Sequence, residues 1–294
     1  MKIGILGVGI VGSATAKVFG KANEVFPYDR YKTEYNSQVQ LSNLVANSEV
    51  IFICVPTPMK KSGEMDYSAI YDSLEKIKKE SESQGKNPAE IIIVIRSTAV
   101  SGTTDKFAEQ FPFRFAFNPE FLTEKNAIKD MEETDRVVLG VSDEQTKQKL
   151  YELYKALFPN AKYVFVDRKT AEMIKYAANV TLASQIAVAN ELYQICQKLR
   201  IDYETVKQTI LLDNRIGTNI SVPGHDGDFG FGGKCFPKDL NALIYLAREH
   251  GYRPHLFESV WMLNEKLRKN KDWLGIPGAV SENKDFSENV KQTL

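Results

Sequence analysis

The chain has 294 residues, of which 43% are hydrophobic and 26% are charged, and these globular proportions exclude disordered, fibrous and collagen-like chains. Lysine and arginine number 38, as do aspartate and glutamate, so the formal net charge is zero. This balance argues against a general nucleic-acid binder and against a polybasic membrane binder.

The first half of the chain alternates apolar, strand-like runs with helical patterns. Strands are predicted at residues 2–6, 24–29, 50–55, 91–95, 113–117, 136–141 and 162–166, and helices at 10–21, 66–84 and 143–157. Runs such as VIFICV and IIIVI are apolar on both faces, as in a parallel sheet that helices cover on both sides. The alternation predicts an α/β fold with a doubly wound parallel sheet over residues 1–168.

The pattern becomes helical from residue 169. Residues 170–200 contain neither Gly nor Pro and predict one helix, about 45 Å long at 1.5 Å per residue. Thr170 and Glu172 suit its start, as a cap and as a first-turn acid. Such a helix is typical of a domain connector or a dimer spine.

Further helices are predicted at 203–212, 237–251 and 254–268, around a glycine-rich segment at 213–235. We therefore predict an all-helical central, dimerisation domain over residues 169–268. The C-terminal tail, residues 269–294, is polar and is predicted to be partly loose.

The cysteines and the lengths of the apolar stretches bear on the cellular compartment of the protein. Cys54, Cys196 and Cys235 form an odd, sparse set, which argues against a disulfide scaffold and favours a reducing environment. No convincing signal-peptide cleavage site follows the apolar start of the chain. No stretch approaches the roughly 20 apolar residues that span a bilayer. We therefore expect a cytoplasmic protein that does not enter the membrane.

The segment GVGIVG, residues 7–12, follows a predicted strand and opens a predicted helix. This is the context that a dinucleotide fingerprint requires, because its glycines let the backbone approach a pyrophosphate at the helix N-terminus. Asp29 ends the second predicted strand, where a carboxylate accepts the ribose hydroxyls and repels a 2′-phosphate. The sequence thus predicts a Rossmann-like domain that binds NAD rather than NADP, although the adjacent Arg30 weakens this preference.

Cys235 lies just before a predicted helix start, in the segment GGKCFPKD. The helix dipole, together with Lys234 and Lys238, favours its thiolate, which is the form that attacks a carbonyl. Such a cysteine is also compatible with a structural role. Cys54 and Cys196 lie in an apolar strand and in mid-helix, and we interpret them as small core side chains.

Lys175 and Asn179 are four residues apart and therefore share one face of the long helix. The simplest interpretation is that both side chains lie on a solvent-exposed polar stripe of the helix, but their neighbours in the sequence are apolar. An inward, paired orientation is therefore favoured, and an inward cation and amide suit the stabilisation of a developing oxyanion.

Two polar segments, residues 96–98 and 118–124, follow predicted strands at the sheet edge where a cofactor crevice is expected. In the second of them, Glu120 and Glu124 can act together if the segment is helical. Glu120 can orient water, and either carboxylate is otherwise an ordinary surface group.

In this order, these segments resemble the UDP-glucose/GDP-mannose dehydrogenase family of nucleotide-sugar dehydrogenases. The matching segments are GVGIVG (7–12), CVPTP (54–58), STAVSGTT (97–104), NPEFLTE (118–124), AEMIKYAAN (171–179), NRIG (214–217) and GFGGKCFPKD (230–239). The most specific are GFGGKCFPKD and NPEFL. The Pro-Lys-Asp after the cysteine is more similar to the UDP-glucose and GDP-mannose enzymes than to the N-acetylhexosamine enzymes.

The resemblance implies an NAD-dependent, four-electron oxidation of the C6 alcohol of a nucleotide sugar, UDP-glucose to UDP-glucuronate. It proceeds in two hydride steps through a thiohemiacetal and a thioester on the cysteine. The implied catalytic residues are Cys235, Lys175, Asn179, Asp239, Glu120 and Thr98. The implied cofactor residues are Gly7, Gly9, Val11, Gly12, Asp29, Thr57, Thr98 and Glu124. The implied substrate residues are Glu120, Phe121, Leu122, Lys175, Asn179, Arg215, Phe231 and Gly232.

The same resemblance implies distinct roles within this set. Lys175 and Asn179 stabilise oxyanions, while Asp239 and Thr98, with Glu120, position or activate water. Arg215 reaches the substrate from the neighbouring subunit of a homodimer. No metal is implied.

Members of this family usually continue further, into a third α/β domain that holds the nucleotide base. The sequence is therefore interpreted as a short form without this UDP-binding domain. Three explanations stay open: a separate chain supplies the domain, the substrate is smaller or held differently, or the chain is truncated.

Two other functions also stay open. One is a β-hydroxyacid-type dehydrogenase, which makes a single hydride transfer without a nucleophilic cysteine. The other is an NAD-binding, non-autonomous half of a split nucleotide-sugar dehydrogenase.

Overall fold

The computed structural model describes residues 1–281. Its strands are β1 Lys2–Leu6, β2 Glu24–Tyr28, β3 Val50–Ile53, β4 Ile92–Ile95, β5 Arg114–Phe117, β6 Arg136–Gly140 and β7 Lys162–Val166. Its α-helices are α1 Ile10–Phe19, α2 Gln38–Asn47, α3 Ser68–Ser83, α4 Thr103–Gln110, α5 Ala127–Glu132, α6 Glu144–Lys155, α7 Arg168–Leu199, α8 Tyr203–Ile210, α9 Phe236–Glu249 and α10 His255–Leu267.

The predicted strands and the long helix are confirmed, but three short helices, α2, α4 and α5, are additions to the prediction. They have 10, 8 and 6 residues, too few to display a clear apolar period. The start of α2 did carry a signal, because Ser37 and Gln40 form a reciprocal capping box.

The sheet has the strand order β2-β1-β3-β4-β5-β6-β7. Its neighbours run parallel except at β5 and β6, which meet in an antiparallel pair between Phe117 and Gly140. The predicted Rossmann-like, doubly wound fold is therefore confirmed, with a sheet that is parallel except at this one pairing. An apolar run shows that a strand is buried but carries no information on its direction.

Helices cover both faces of the sheet, because alternate side chains of the buried strands point to opposite sides. Ile51 and Ile53 pack in one core cluster with side chains from α2, α3 and α4. Val50 and Phe52 pack in a second cluster with side chains from α1, α5 and α6. This arrangement holds the carboxyl ends of the strands, and the loops that follow them, on a rigid base.

The chain divides into two compact units. The first contains residues 1–57 and 67–175, and the second contains residues 58–66 and, of the described chain, residues 176–281. In residues 176–281 the second unit has no strand and is built from helices around its own apolar cluster. This confirms the predicted helical region. Within residues 1–281, no helix combines the length and apolar character that crossing a lipid bilayer requires.

Two local expectations need correction. Helix α7 begins at Arg168, and the carboxylate of Asp167 accepts from the N–H and the hydroxyl of Thr170 (2.9 and 2.6 Å). Asp167, not Thr170, therefore caps this helix. The prediction of a loose tail is wrong for residues 269–281, where Trp273 is buried and the Ser281 N–H donates to the Met59 carbonyl (2.8 Å). Residues 282–294 lie outside the described residues.

Candidate active site

The loop between β1 and α1 needs each of its glycines for a different reason. Gly7 has φ +91°, and a Cβ there would lie 2.9 Å from the Cys54 backbone. A Cβ at Gly12 would overlap the Gly7 carbonyl oxygen, so helix α1 packs directly on the turn. A Cβ at Gly9 would meet nothing within 4 Å, so this position faces open space. A tight turn, a close-packed helix and an open middle position fit a dinucleotide pyrophosphate.

Asp29 follows β2 and is fixed beside this loop. One carboxylate oxygen accepts from the Val8 N–H (2.7 Å) and the other from the Tyr31 N–H (2.8 Å). The charge that suits a ribose diol therefore lies against the glycine loop. Arg30 extends to Asp72, at 3.6 Å. Val11, in the first turn of α1, accepts from the Thr15 hydroxyl through its carbonyl (2.7 Å).

The loops after β3 and β4 are bonded to each other. The buried Thr57 donates from its hydroxyl to the Thr98 carbonyl (2.9 Å), and Ser97 donates to the Val55 carbonyl (2.6 Å). Both loops leave the carboxyl edge of the sheet, next to the point between β1 and β3 where the strand order reverses. In open α/β sheets this is where cofactors bind.

A buried polar network fixes the start of the segment 118–124. The Arg96 guanidinium, 5% exposed, donates to the side-chain Oδ1 of Asn118 and to the Tyr154 hydroxyl (3.2 Å). The Asn118 amide donates in turn to the Val138 carbonyl (2.7 Å). Arg96, Asn118 and Glu120 line one cavity of about 120 Å³. Arg96 was predicted at the crevice, but without a partner.

Lys175 and Glu120 form a buried ion pair. The Lys175 Nζ lies 2.9 Å from Glu120 Oε1, with side-chain exposures of 5% and 10%. Glu120 Oε2 also accepts from the Leu122 N–H (2.8 Å). The Lys175 ammonium lies 5.8 Å from the centre of the Phe121 ring. The predicted inward, paired orientation of Lys175 is confirmed.

The idea that Glu120 and Glu124 act together from one helix is wrong. Residues 118–123 form an irregular loop, Glu124 is exposed in a turn, and α5 begins at Ala127. Proline at 119 disfavours helical backbone at the residue before it. One carboxylate oxygen of Glu120 instead accepts a hydrogen bond from within its own loop, from the Leu122 N–H.

In the second unit, Cys235 occupies the N-cap position of α9 and is exposed. Pro237 lies in the first turn, which suits its missing N–H. Asp239 lies one turn further, and its N–H donates to the Cys235 carbonyl (2.8 Å). The positive end of the helix dipole therefore acts on the thiol, as its thiolate requires.

A buried carboxylate joins Asn179 and Lys238. Asp239, 1% exposed, accepts from the Asn179 amide (2.5 Å) on one oxygen and from the Lys238 ammonium (2.6 Å) on the other. Asn179 is thus inward and paired, as its apolar neighbours predicted. The Lys238 ammonium, expected to assist the thiolate, is engaged with this carboxylate.

The glycine-rich segment before Cys235 is held by side chains at the end of α10, one within the helix and one at its C-cap. Asn264 accepts from the Phe231 N–H (2.7 Å) and donates to the Phe231 carbonyl (3.0 Å). The buried Arg268 pairs with Asp226 (2.6 Å), and a Cβ at Gly232 would overlap its guanidinium. Asn264 and Arg268 were not predicted as functional residues. Their signal was an amide and a cation one turn apart in a predicted helix.

Phe231 and Arg215 differ sharply in their surroundings. The Phe231 ring belongs to the apolar core of the helical unit. The Arg215 side chain is 90% exposed. Its guanidinium donates to the Asp213 carboxylate through Nε (2.9 Å) and Nη2 (2.5 Å).

A Rossmann-like sheet with this glycine loop, followed by a long helix and a helical region, is typical of NAD-dependent dehydrogenases. Residues 21–158 match the model of the UDP-glucose/GDP-mannose dehydrogenase family NAD binding domain, and residues 169–266 match the family's central domain. The chain belongs to the UDP-glucose/GDP-mannose dehydrogenase family, and NAD is the cofactor that this membership implies. The glycine loop precedes the matched residues, so its assignment rests on the geometry above.

Curated relatives carry the name UDP-glucose 6-dehydrogenase. The protein of that name from Rickettsia felis is 36% identical over 247 residues, which cover 82% of this chain and 52% of the relative. The one from Bacillus subtilis is 35% identical over 237 residues, covering 78% and 51%. This chain therefore spans about half the length of these curated relatives.

Solved structures of nucleotide-sugar dehydrogenases are also similar to this chain. A UDP-glucose dehydrogenase from Pyrobaculum islandicum has a TM-score of 0.78 at 28% identity, covering 90% of this chain and 68% of its own. A GDP-mannose dehydrogenase from Pseudomonas aeruginosa has a TM-score of 0.66 at 29% identity, covering 91% and 69%. A 3-hydroxyisobutyrate dehydrogenase from Mycobacterium tuberculosis shares the fold at 18% identity, with a TM-score of 0.67 and coverage of 90% and 92%.

Proposed function

We propose that this chain catalyses the NAD-dependent, four-electron oxidation of the C6 alcohol of a nucleotide sugar, with UDP-glucose as the favoured substrate. The observation that carries the proposal is Cys235 at the N-terminus of α9, one turn before the buried Asp239. The names of the relatives support the choice of sugar. NAD, when bound by the glycine loop and Asp29, supplies the hydride acceptor.

The first half of the reaction turns the alcohol into an aldehyde, with loss of a hydride and a proton. The Cys235 thiolate then adds to C6, and the carbonyl electron pair moves onto oxygen. Lys175 and Asn179 donate hydrogen bonds to this developing oxyanion. An ammonium has three N–H donors and an amide has two, so each side chain can serve the oxyanion and its own carboxylate partner.

The second half oxidises the thiohemiacetal to a thioester, again with loss of a hydride and a proton. Water attacks the thioester carbon, the C–S bond breaks, and the thiolate returns to Cys235. Asp239 and Glu120, with Thr98, position this water and accept its proton. Glu124, Thr57 and Thr98 hold the nicotinamide ribose, and Phe121, Leu122, Phe231 and Gly232 contact the sugar nucleotide.

Counting NADH tests this function. Purified chain, NAD and limiting UDP-glucose are expected to give two NADH per sugar and UDP-glucuronate as product. One NADH per sugar would instead support the single hydride transfer of a β-hydroxyacid-type dehydrogenase. The 3-hydroxyisobutyrate dehydrogenase from Mycobacterium tuberculosis has the same fold as this chain. NAD binding without NADH formation would overturn a self-sufficient enzyme. It would favour a half that needs a separate chain for the base-binding domain.

We also propose a homodimer through the second unit. Four apolar side chains in the C-terminal half of α7 are exposed by 38% or more: Val188, Leu192, Ile195 and Leu199. Their spacing of four, three and four residues places them along one side of the helix. An exposed apolar stripe of this kind suits burial against the same stripe of a second copy.

Mixing two inactive variants tests whether Arg215 acts in the neighbouring subunit. In a two-fold dimer, one protomer with Cys235→Ala and one with Arg215→Ala leave one site with both groups intact. Co-expressed variants are then expected to recover about one quarter of wild-type activity, since half the dimers carry one intact site in two. Each variant alone stays inactive. A mixture as inactive as its components would show that Arg215 serves its own protomer.

A cytoplasmic location is proposed as well. None of Cys54, Cys196 and Cys235 forms a disulfide bond. Cys54 and Cys196 are buried, and burial raises the pKa of the Cys54 thiol to about 12, so it is an inert core side chain at neutral pH. Cysteines without disulfides support a reducing compartment.

A further inference from the structure

The segment from residue 96 to residue 102, which carries Thr98, has no helix or strand of its own. Bonds to side chains elsewhere in the first unit hold it. The Thr98 carbonyl accepts from Thr57, and the Val100 N–H donates to the Tyr67 hydroxyl (2.8 Å). Its far end runs into α4 through Gly102, whose φ of +92° suits only glycine.

The carboxylate of Glu172 holds that far end. Glu172 lies on α7 and is fully buried. One of its oxygens accepts from the Gly102 N–H (2.6 Å). The other accepts from the Thr104 N–H (2.7 Å) and the Thr104 hydroxyl (2.6 Å). A residue that sequence analysis assigned to the start of α7 therefore caps α4 instead.

Neighbouring contacts extend this link between the start of α4 and the first turns of α7. Ser101 donates from its hydroxyl to the Lys169 carbonyl (3.0 Å), and Arg168 pairs with Asp105 (2.5 Å). Lys175 follows Glu172 by one turn of the same helix. The Glu172 carboxylate and these flanking contacts thus connect the segment of Thr98 to the helix of Lys175.

Burial of this carboxylate is costly. Burial raises the pKa of Glu172 to about 7, and the nearby Asp105 carboxylate acts in the same direction, against the hydrogen bonds that lower it. A neutral, well-packed side chain would avoid the desolvation cost. The charge is therefore better explained by the geometry that it imposes, because a charged acceptor binds N–H and O–H groups more tightly than a neutral one.

We propose that Glu172 is a positioning residue that fixes the Thr98 segment against the helix of Lys175 and thereby sets the affinity for NAD. This inference rests on the proposed function in one respect, the placement of Thr98 beside the nicotinamide ribose.

The test compares Glu172→Gln with wild type at about pH 8, where a carboxyl with a pKa of about 7 is mostly charged. Glu172→Gln is expected to raise the Kd and the KM for NAD about tenfold, the effect of losing one charge-assisted hydrogen bond. The KM for the sugar nucleotide should change much less. A merely structural role would lower the melting temperature without this split.

Asp202→Asn is the matched control. The Asp202 carboxylate also accepts from two backbone N–H groups and a threonine hydroxyl, at the start of α8. That helix carries no candidate site residue, so the Kd for NAD should stay at the wild-type value. Thr104→Val provides a milder variant if Glu172→Gln fails to fold. It removes only the hydroxyl donor and should raise the Kd in the same direction by about twofold to threefold.

Amide hydrogen exchange supplies a readout that needs no substrate. The amides of Gly102 and Thr104 should exchange faster in Glu172→Gln than in wild type. In Asp202→Asn their exchange rates should equal those of wild type. Folded Glu172→Gln with wild-type affinity for NAD would overturn the proposal, as would equal losses for NAD and sugar. A wild-type chain that binds NAD but oxidises no sugar nucleotide would refute the proposed reaction alone, because the NAD affinities would still decide the role of Glu172.

Discussion

Replacing Cys235 with alanine is expected to stop carboxylate formation while NAD binding stays at the wild-type level. Without the thiolate there is no thiohemiacetal to oxidise, so at most one NADH per sugar can form. The steady-state rate should fall by about 10⁴-fold, as for the loss of other covalent nucleophiles. Because Cys235 is exposed, alanine there should leave the free energy of unfolding nearly unchanged. The measurements are the NADH yield at completion and a urea unfolding curve.

Cys196→Ala is the matched control for this variant. Cys196 is buried in the helical unit, within the apolar cluster that includes Tyr203. Alanine there removes packing and should cost about 1 kcal/mol of stability, with activity retained. Full activity of Cys235→Ala with two NADH per sugar would refute the covalent mechanism. Full activity with one NADH would point to the single-hydride class.

Much of the fold follows from the sequence because its strands are short, continuous apolar runs. Val50–Ile53 and Ile92–Ile95 are buried on both faces, and a sequence shows this directly. Direction is a different matter, since β6 is as buried and apolar as β5 yet runs antiparallel to it. The three short helices were missed for a related reason, because about two to three turns give few positions to establish a period.

In the candidate site, too, features set by neighbouring residues could be predicted, whereas contacts between residues far apart in the chain could not. Local patterns located Cys235 at a helix start and turned Lys175 and Asn179 inward. Their partners lie far along the chain: Glu120 is 55 positions before Lys175, and Asp239 is 60 positions after Asn179. No spacing rule reaches so far. A side chain that supports a loop, such as Glu172, is recognisable only once the fold brings its backbone partners to it.

The second large effect is expected at the buried ion pair between Lys175 and Glu120. Lys175→Met leaves the Glu120 carboxylate buried without its cation, which should cost about 3–5 kcal/mol of the free energy of unfolding. Adding Glu120→Gln removes the stranded charge and should restore most of that stability. The oxyanion would still lack its cation, so the double variant should remain about 10³-fold less active than wild type. Urea unfolding and initial NADH rates measure the two effects separately.

Lys76→Met provides the comparison. Lys76 pairs with Asp72 at 2.7 Å on the surface of α3, with side-chain exposures of 30% and 44%. Loss of this solvated pair should cost less than about 1 kcal/mol and leave the rate unchanged. Recovery of both stability and activity in the double variant would mean that Lys175 only neutralises Glu120. Recovery of stability alone would mean that packing is repaired while a group that the reaction needs is still missing, either the Lys175 cation at the oxyanion or the Glu120 carboxylate at the water.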